Sequence, residues 1–226
     1  MTLADTTKLK RAAAKAKPRL EPVRDAERTQ QAILAAAEEE FASKGLAGAR
    51  VDVIAEQAGA NKRMLYYYFG SKDDLYLAVL ERAYGKMREA ERELNLTDLD
   101  PLEAIRRLVE FKFDYCQKNP TIIPLLGGEN MHGAKYLKRS RKLRDMHTML
   151  VDIISKVLAE GEKKGEIRPG VDPLHLYISI SALSYLYFSN SATLSAAFGR
   201  QLSSPAEQNM RRAHCVDVIL SYVQAR

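Results

Sequence analysis

A cluster of residues that can bind nucleic acid lies between positions 61 and 72. Amide, cationic, thioether and tyrosine side chains alternate there, and they are Asn61, Lys62, Arg63, Met64, Tyr66, Tyr67 and Lys72. Lysine and arginine donate hydrogen bonds to phosphates or to guanine acceptors, and asparagine and tyrosine add contacts to the sugar-phosphate backbone. This combination predicts binding to an anionic duplex.

The residues around this cluster have the spacing of a helix-turn-helix. Apolar patterns predict short helices over residues 51–58 and 62–68, and Gly59 supplies the turn between them. A longer helix, predicted over residues 25–44 and ended by Gly45, has an apolar stripe that packs on both. Because the second helix of such a unit points its N-terminal residues into a major groove, we predict a DNA-binding domain over residues 25–70.

The net charge of the chain is concentrated before this domain. Residues 1–24 hold seven lysines and arginines against two acidic residues, so +5 of the total of +6 lies in this segment. The segment has too little apolar surface to fold alone, and we predict a disordered basic arm that is attracted to a polyanion or serves only for solubility.

The rest of the chain reads as helices, which gives an all-α fold of about nine helices. Ser71 with Asp74 predicts the start of a long helix to about residue 95, and Pro101, Pro173 and Pro205 each follow a capping residue. A basic helix is predicted over residues 132–160, after a break at Gly127 and Gly128. The four histidines and two cysteines of the whole chain lack the spacing of metal ligands or of a catalytic pair. The sequence therefore predicts no metal, no cofactor and no enzyme.

No apolar run is long enough to cross a bilayer, no secretory signal opens the chain, and the scarcity of cysteine fits a reducing compartment. We therefore expect a cytoplasmic protein without a membrane partner.

Residues 28–80 resemble the tetracycline-repressor family of bacterial regulators. The resemblance rests on residues 33–37, Phe41, Gly45, residues 54–55, residues 58–59 and the string from Leu65 to Leu75. It implies a homodimer with an N-terminal helix-turn-helix domain and, over residues 71–226, a helical bundle for effector binding and dimerisation. Dimerisation through the last two long helices is expected, on apolar faces that include Leu176, Ile180, Leu183, Tyr187, Phe188, Met210, Ile219, Leu220 and Val223.

The resemblance also suggests roles for single residues. Tyr67 and Lys72 match positions that commonly hold backbone phosphates in the family. Arg50 stands where a threonine usually caps the second helix, so a cap is lost and a phosphate-binding cation is gained. Arg63 and Met64 replace a small Gly-Thr pair, and the base preference therefore does not carry over.

The C-terminal part is similar in layout to the pyrimidine-utilisation regulators within the family, through residues 119–134 and 172–176. This similarity makes a pyrimidine-like or aromatic small molecule a candidate effector. Candidate lining residues are aromatic, thioether and polar side chains at helical spacing, which are as typical of a core: Phe111, Tyr115, Glu129, Met131, His132, Met146, Met149, Tyr177, Ser181, Ser184 and Tyr185.

These observations favour a ligand-responsive DNA-binding transcriptional regulator. We expect it to be a repressor that a small-molecule effector releases from its operator. Two other functions are compatible with the same residues. One is a basic architectural DNA-binding protein without an effector, and the other is a helical small-molecule-binding or catalytic protein whose helix-turn-helix is vestigial.

Overall fold

The computed structural model describes residues 21–225 and confirms the all-α fold. It contains eleven α-helices, rather than about nine, and no strand beyond an isolated bridge within that range. The helices are α1 (Glu21–Gly48), α2 (Val51–Gln57), α3 (Lys62–Phe69), α4 (Lys72–Arg92), α5 (Pro101–Lys118), α6 (Ile122–Met131), α7 (Lys135–Arg139), α8 (Arg141–Lys164), α9 (Pro173–Ser189), α10 (Ser191–Phe198) and α11 (Pro205–Val223). Most of the predicted basic arm, residues 1–20, lies outside the described residues.

Helix α1 begins four residues earlier than the sequence suggests. Its first turn takes in residues 21–24, the end of the predicted arm. A proline in a first helical turn removes no intrahelical hydrogen bond, so Pro22 is compatible with a helix start there. At the other end, Gly45 has a φ of 66°, and this positive angle interrupts the regular helix where the sequence predicts its end.

Helices α1, α2 and α3 share one core. Ile33, Phe41, Ile54 and Leu65 are buried in it. The same core continues along α4, whose buried Leu75 opens an apolar stripe. The three-helix unit therefore rests on α4 rather than standing apart from the rest of the chain.

The side chain of Ser71 starts α4 as predicted, because its hydroxyl accepts a hydrogen bond from the Asp74 amide at 3.1 Å. The helix then runs to Arg92, three residues short of the predicted end at residue 95. It is long enough to contact α1 and α3 at one end and α5 and α8 at the other.

The predicted break at Gly127 and Gly128 is wrong, because both glycines lie inside α6. A Cβ at position 127 would come within 3.2 Å of the Tyr185 hydroxyl, and one at 128 within 3.1 Å of the Tyr76 hydroxyl. These glycines admit two tyrosines against the helix, and they do not terminate it.

The predicted basic helix over 132–160 is divided in two. Ser140 separates α7 from α8 and caps α8, because its hydroxyl accepts from the Leu143 amide at 3.1 Å. No glycine or proline marks this division in the sequence, and serine is ambiguous between a cap and a helix interior.

A second core joins α5, α8, α9 and α11. It buries several residues that the sequence assigned to the dimer face: Leu176, Ile180, Tyr187, Ile219 and Val223. Both long C-terminal helices carry apolar residues on more than one side, so the sequence pattern did not tell the inward face from the outward one.

Candidate functional site

Helix α3 exposes its cations and two of its tyrosines to solvent and buries a leucine in the core. Leu65 is fully buried, whereas Lys62 and Arg63 are exposed. The side chain of Tyr67 is 83% exposed and that of Tyr66 46%. Large aromatic side chains are seldom left this accessible without a partner surface, and here they lie beside cations.

The start of α3 is fixed by a side-chain cap and a glycine turn. Asn61 accepts a hydrogen bond from the Met64 amide at 2.9 Å, and Gly59 has a φ of 61°. The cap leaves Met64 half-buried and points the first turn of α3 away from the core. The positive end of the α3 helix dipole therefore coincides with Lys62 and Arg63, the first two residues of the helix.

We expect Asn61→Ala to lower the free energy of unfolding by about 1 kcal/mol, because the Met64 amide loses its acceptor. Asn61→Ser, which keeps an oxygen in reach, should retain most of that stability. Urea denaturation of both variants measures the difference. Equal stabilities would mean that the cap contributes nothing.

Two of the predicted phosphate ligands are grouped around one carboxylate. The Arg50 guanidinium lies 2.9 Å from the Asp52 carboxylate, and the Lys62 ammonium lies 3.7 Å from the same oxygen. The hydrogen bond from Arg50 lowers the pKa of Asp52 to about 2. These exposed pairs are weak in water, so either cation can exchange Asp52 for a phosphate.

Lys72 occupies the first position of α4, at the side of the three-helix unit. Its ammonium donates to the Ala47 carbonyl at 3.4 Å, which brings it against the end of α1. The side chain is half-buried. Free amides at a helix start add to the attraction of an anion, so this position suits a phosphate.

A second polar group is buried in the C-terminal part, where α4, α5 and α9 meet. Arg88 and Lys112 both pair with the carboxylate of Glu91, and Arg88 also donates to the Tyr177 hydroxyl at 2.9 Å. Burial alone would raise the pKa of Tyr177, but the nearby Lys112 and Arg88 outweigh it and hold the pKa below its ordinary value.

These three charged residues are not among the predicted site residues, although the sequence carries a signal for them. Glu91 falls four residues after Met87, where the apolar stripe of α4 calls for another apolar residue. Lys112 falls four residues after Leu108 in the same way on α5. A charge at a core position of an amphipathic helix therefore pointed to a buried polar site.

A cleft of about 520 Å³ lies next to this group and opens to solvent between α4 and α8. Arg88 and Glu91 form part of its wall, and Leu150 and Ile153 form an apolar part. Of the predicted effector residues, Met146 and Met149 line this cleft. The volume falls in the range of small-molecule sites.

The other predicted effector residues are distributed around the bundle. Tyr177 contacts Arg88, and the hydroxyl of Ser181, one turn further along α9, is buried without a hydrogen-bond partner among the described residues. Ser184 is buried and donates to its own helix, and Tyr185 reaches the Ile123 carbonyl.

Phe111 and Tyr115 pack on each other with ring centroids 5.5 Å apart, and both pack against the core that contains Ile33 and Leu75. Burial raises the pKa of Tyr115 to about 12.

Glu129, Met131 and His132 do not line the cleft. One oxygen of the buried Glu129 carboxylate accepts from the amides of Tyr136 and Leu137, at 2.9 and 2.8 Å, and so holds the start of α7. Met131 and His132 are exposed at the end of α6. The structure thus gives Glu129 a helix-capping contact.

Contacts from α7 connect the C-terminal part with the start of α4. Lys135 and the Tyr136 hydroxyl both lie 3.1 Å from the Asp73 carboxylate, and Arg139 lies 2.6 Å from that of Asp74. Asp73 and Asp74 follow the helix-turn-helix directly. These contacts place α7 against the first turn of α4, next to the helix-turn-helix.

Both cysteines are free thiols in the structure. Burial raises the pKa of Cys116 to about 11 and also raises that of Cys215. Neither environment stabilises a thiolate, which is the form that reacts with oxidants.

Within residues 21–225, no three histidine, cysteine or acidic side chains are placed to hold a metal ion. In the same range, no helix is both long and apolar enough to cross a membrane.

Comparison with known proteins decides the family. Residues 33–79 match the bacterial regulatory proteins of the tetR family, and residues 101–219 match the tetracyclin repressor-like C-terminal domain. The chain belongs to the TetR family. As a TetR-family protein it is a DNA-binding transcriptional regulator, and its match to both halves of the family places the helix-turn-helix and the C-terminal bundle together in one chain.

Among relatives of this TetR-family protein is the transcriptional repressor NicS of Pseudomonas putida, 38% identical over 76% of this chain and 81% of NicS. The regulator RutR of Escherichia coli is 31% identical over 87% of this chain and 91% of RutR. A solved structure of a transcriptional regulator, SCO4942 of Streptomyces coelicolor, superposes with a TM-score of 0.66 at 29% identity and covers 86% of this chain and 98% of its own. These relatives are regulators rather than enzymes.

Proposed function

We propose that this protein is a dimeric repressor that holds operator DNA with one α3 from each subunit and releases it when a small molecule occupies the cleft beside α8. The exposed cationic and aromatic surface of α3, joined to that cleft by the single helix α4, carries this proposal. The repressor NicS supports the sign of regulation, since it is similar over most of its length.

In this proposal the predicted DNA residues act in two ways. Lys62, Arg63, Met64 and Tyr66 lie at the groove-facing side of α3, where side chains reach base edges. The others hold the sugar-phosphate backbone and fix the orientation of α3: Arg50, Asn61, Tyr67 and Lys72.

The dimer uses the outward sides of α9 and α11. Exposed apolar residues recur there at intervals of four or eight residues and form a stripe on each helix: Leu174, Ile178 and Leu186 on α9, and Met210, Val218 and Tyr222 on α11. A monomer rarely leaves two adjacent apolar stripes in water, and two helices from each subunit can form a four-helix interface. This keeps the helices that the sequence indicated, and Met210 of the predicted residues, but moves the rest of the contact to the outward sides of α9 and α11.

The effector signal passes along α8 and α7. Met146 and Met149 line the cleft from the N-terminal half of α8, and Ser140 at its start donates to Glu81 of α4 at 2.6 Å. Through α7 the same segment contacts Asp73. A 100-fold loss of operator affinity requires about 2.7 kcal/mol of coupling, which a shift between two arrangements of α7 and α8 can supply.

Selection of genomic fragments by the purified full chain tests the DNA-binding part of this proposal. We expect enrichment of a defined site with a steep dependence of affinity on salt. Recovery of fragments without a common site would contradict a sequence-specific repressor and favour an architectural DNA-binding protein.

A phosphate contact by Lys72 gives a quantitative expectation. Lys72→Ala should weaken binding to all DNA sequences alike and should reduce the slope of log affinity against log salt by about one. Fluorescence anisotropy over a salt series measures this slope. The control is Lys163→Ala, an exposed lysine at the far end of α8. An unchanged slope for Lys72→Ala would remove its phosphate role.

A further inference from the structure

The buried polar group of the C-terminal part has an unbalanced charge. Arg88 and Lys112 are each 5% exposed, and the one carboxylate that pairs with them, Glu91, is 4% exposed. Neither cation has a second carboxylate within ion-pair distance among residues 21–225. Glu91 compensates one of the two positive charges, and the other is uncompensated.

Neighbouring side chains do not supply the missing negative charge. Burial lowers the pKa of His147, so its imidazole is neutral at pH 7, and the ring meets that of Tyr84 edge to face with centroids 4.9 Å apart. The Tyr177 hydroxyl accepts from Arg88, and its ring lies 5.2 Å from the Lys112 ammonium. These contacts stabilise the cations partly but carry no full charge.

Arg88 has unused capacity to bind. Its Nε is buried and donates to no group in the described part of the chain. Nη1 already pairs with Glu91 and Nη2 donates to Tyr177, so Nε is the donor left for a carboxylate, which can also share Nη2 because the donors form a planar fork. Arg88 is also one of the two members of the group that form the wall of the 520 Å³ cleft.

The rest of the cleft selects against a purely polar anion. Beyond Arg88 and Glu91 its inner wall consists of Met146, Leu150 and Ile153, which suit an apolar body. Its mouth carries the exposed cations Arg92, Arg141 and Lys142 against Asp145, so the approach is positively charged. One net buried charge calls for one carboxylate rather than a dianionic phosphate.

The geometry points to a small organic acid as the ligand of this cleft, with its carboxylate on Arg88 and its apolar body against Met146, Leu150 and Ile153. This inference rests on the proposed function in one respect, since it names the chemical class of the effector. Binding of the acid neutralises the buried excess charge, and this gives the protein a state with a different charge balance between α4 and α8.

Matched pairs of acids and carboxamides test the inference on the full chain. The probes are benzoate with benzamide, phenylacetate with phenylacetamide, and hexanoate with hexanamide, titrated calorimetrically at constant ionic strength. We expect at least one acid to bind ten-fold or more tightly than its amide. Equal affinity within every pair, or binding by amides alone, would overturn the inference.

Two variants locate the carboxylate. Arg88→Gln should reduce the preference for acid over amide to less than about three-fold, whereas Arg106→Gln, an exposed arginine of α5, should leave it unchanged. Met149→Glu places a competing carboxylate at a half-exposed position of the cleft and should also weaken acid binding. If Arg88→Gln and Met149→Glu both keep the full preference, the acid binds elsewhere and the inference fails.

A DNA assay separates this inference from the proposed function. The preferred acid is added to a complex of the protein with its selected genomic fragment, and release is followed by gel shift. Salt-dependent DNA binding without any acid preference overturns the acid site and leaves the repressor intact. An Arg88-dependent acid preference without DNA binding overturns the repressor and supports the acid site, while release by the acid supports both.

Discussion

Ile178→Arg is expected to separate the dimer and to lower operator affinity by about 1000-fold, the lower end of the usual ratio of specific to non-specific binding. Ile178 is half-exposed at the centre of the α9 stripe, and an arginine there would bury a charge against its symmetry mate. A single helix-turn-helix offers too few base contacts for a specific site. Analytical ultracentrifugation and anisotropy on the same preparation measure both effects.

Ser155→Arg serves as the matched control for this prediction. It introduces the same side chain at an exposed position of α8, away from both apolar stripes. It should leave the mass and the operator affinity unchanged. If Ile178→Arg remains a dimer with full affinity, the stripe of α9 and α11 is not the interface.

Glu91→Gln is expected to lower the free energy of unfolding by about 3–5 kcal/mol, because it leaves Arg88 and Lys112 buried together without an anion. Arg88→Gln should cost less, about 1–2 kcal/mol, because the pair of Lys112 and Glu91 stays balanced. The order of the two variants is the informative result, and urea denaturation measures it.

Glu89→Gln, an exposed position on the same helix, controls for the substitution itself and should change stability little. A larger loss for Arg88→Gln than for Glu91→Gln would show that the positive charge is compensated by a group outside this cluster. The excess cation, and the acid site argued from it, would then lose their basis.

The helix-turn-helix was predictable because its signals are local. Asn61 as a cap and Gly59 in the turn both act on backbone within four residues of them. The start of α4 at Ser71 is of the same kind. Caps and turns depend on backbone groups nearby, so one sequence is enough to place them.

The C-terminal bundle was less predictable because its determinants are distant in sequence. Gly127 inside α6 is explained by Tyr185, 58 positions along the chain, and not by a turn. Ile180 is predicted at the interface and is core, while Ile178, two positions earlier and not predicted there, is half-exposed. The type of an apolar residue does not show whether it is covered by another helix of the same chain or by a second subunit.

The effector residues show the same limit. Residue type alone makes aromatic and methionine side chains candidates for the effector site. Met146 and Met149 line the cleft, whereas Met131 is 89% exposed. The charged residues Arg88 and Lys112 were passed over, since charges usually mark a solvated face. Only the packing of α4 on α5 brings them to one carboxylate.

Dimethyl sulfate footprinting of the full chain on its selected genomic site tests most directly whether α3 enters the major groove, because this reagent methylates guanine N7, which lies there. We expect protection of guanines on the same face of the duplex in two successive major grooves, about 34 Å apart, and its loss in a variant with both Lys62→Ala and Arg63→Ala. Protection that shows no such spacing, or that survives in the double variant, would contradict this expectation.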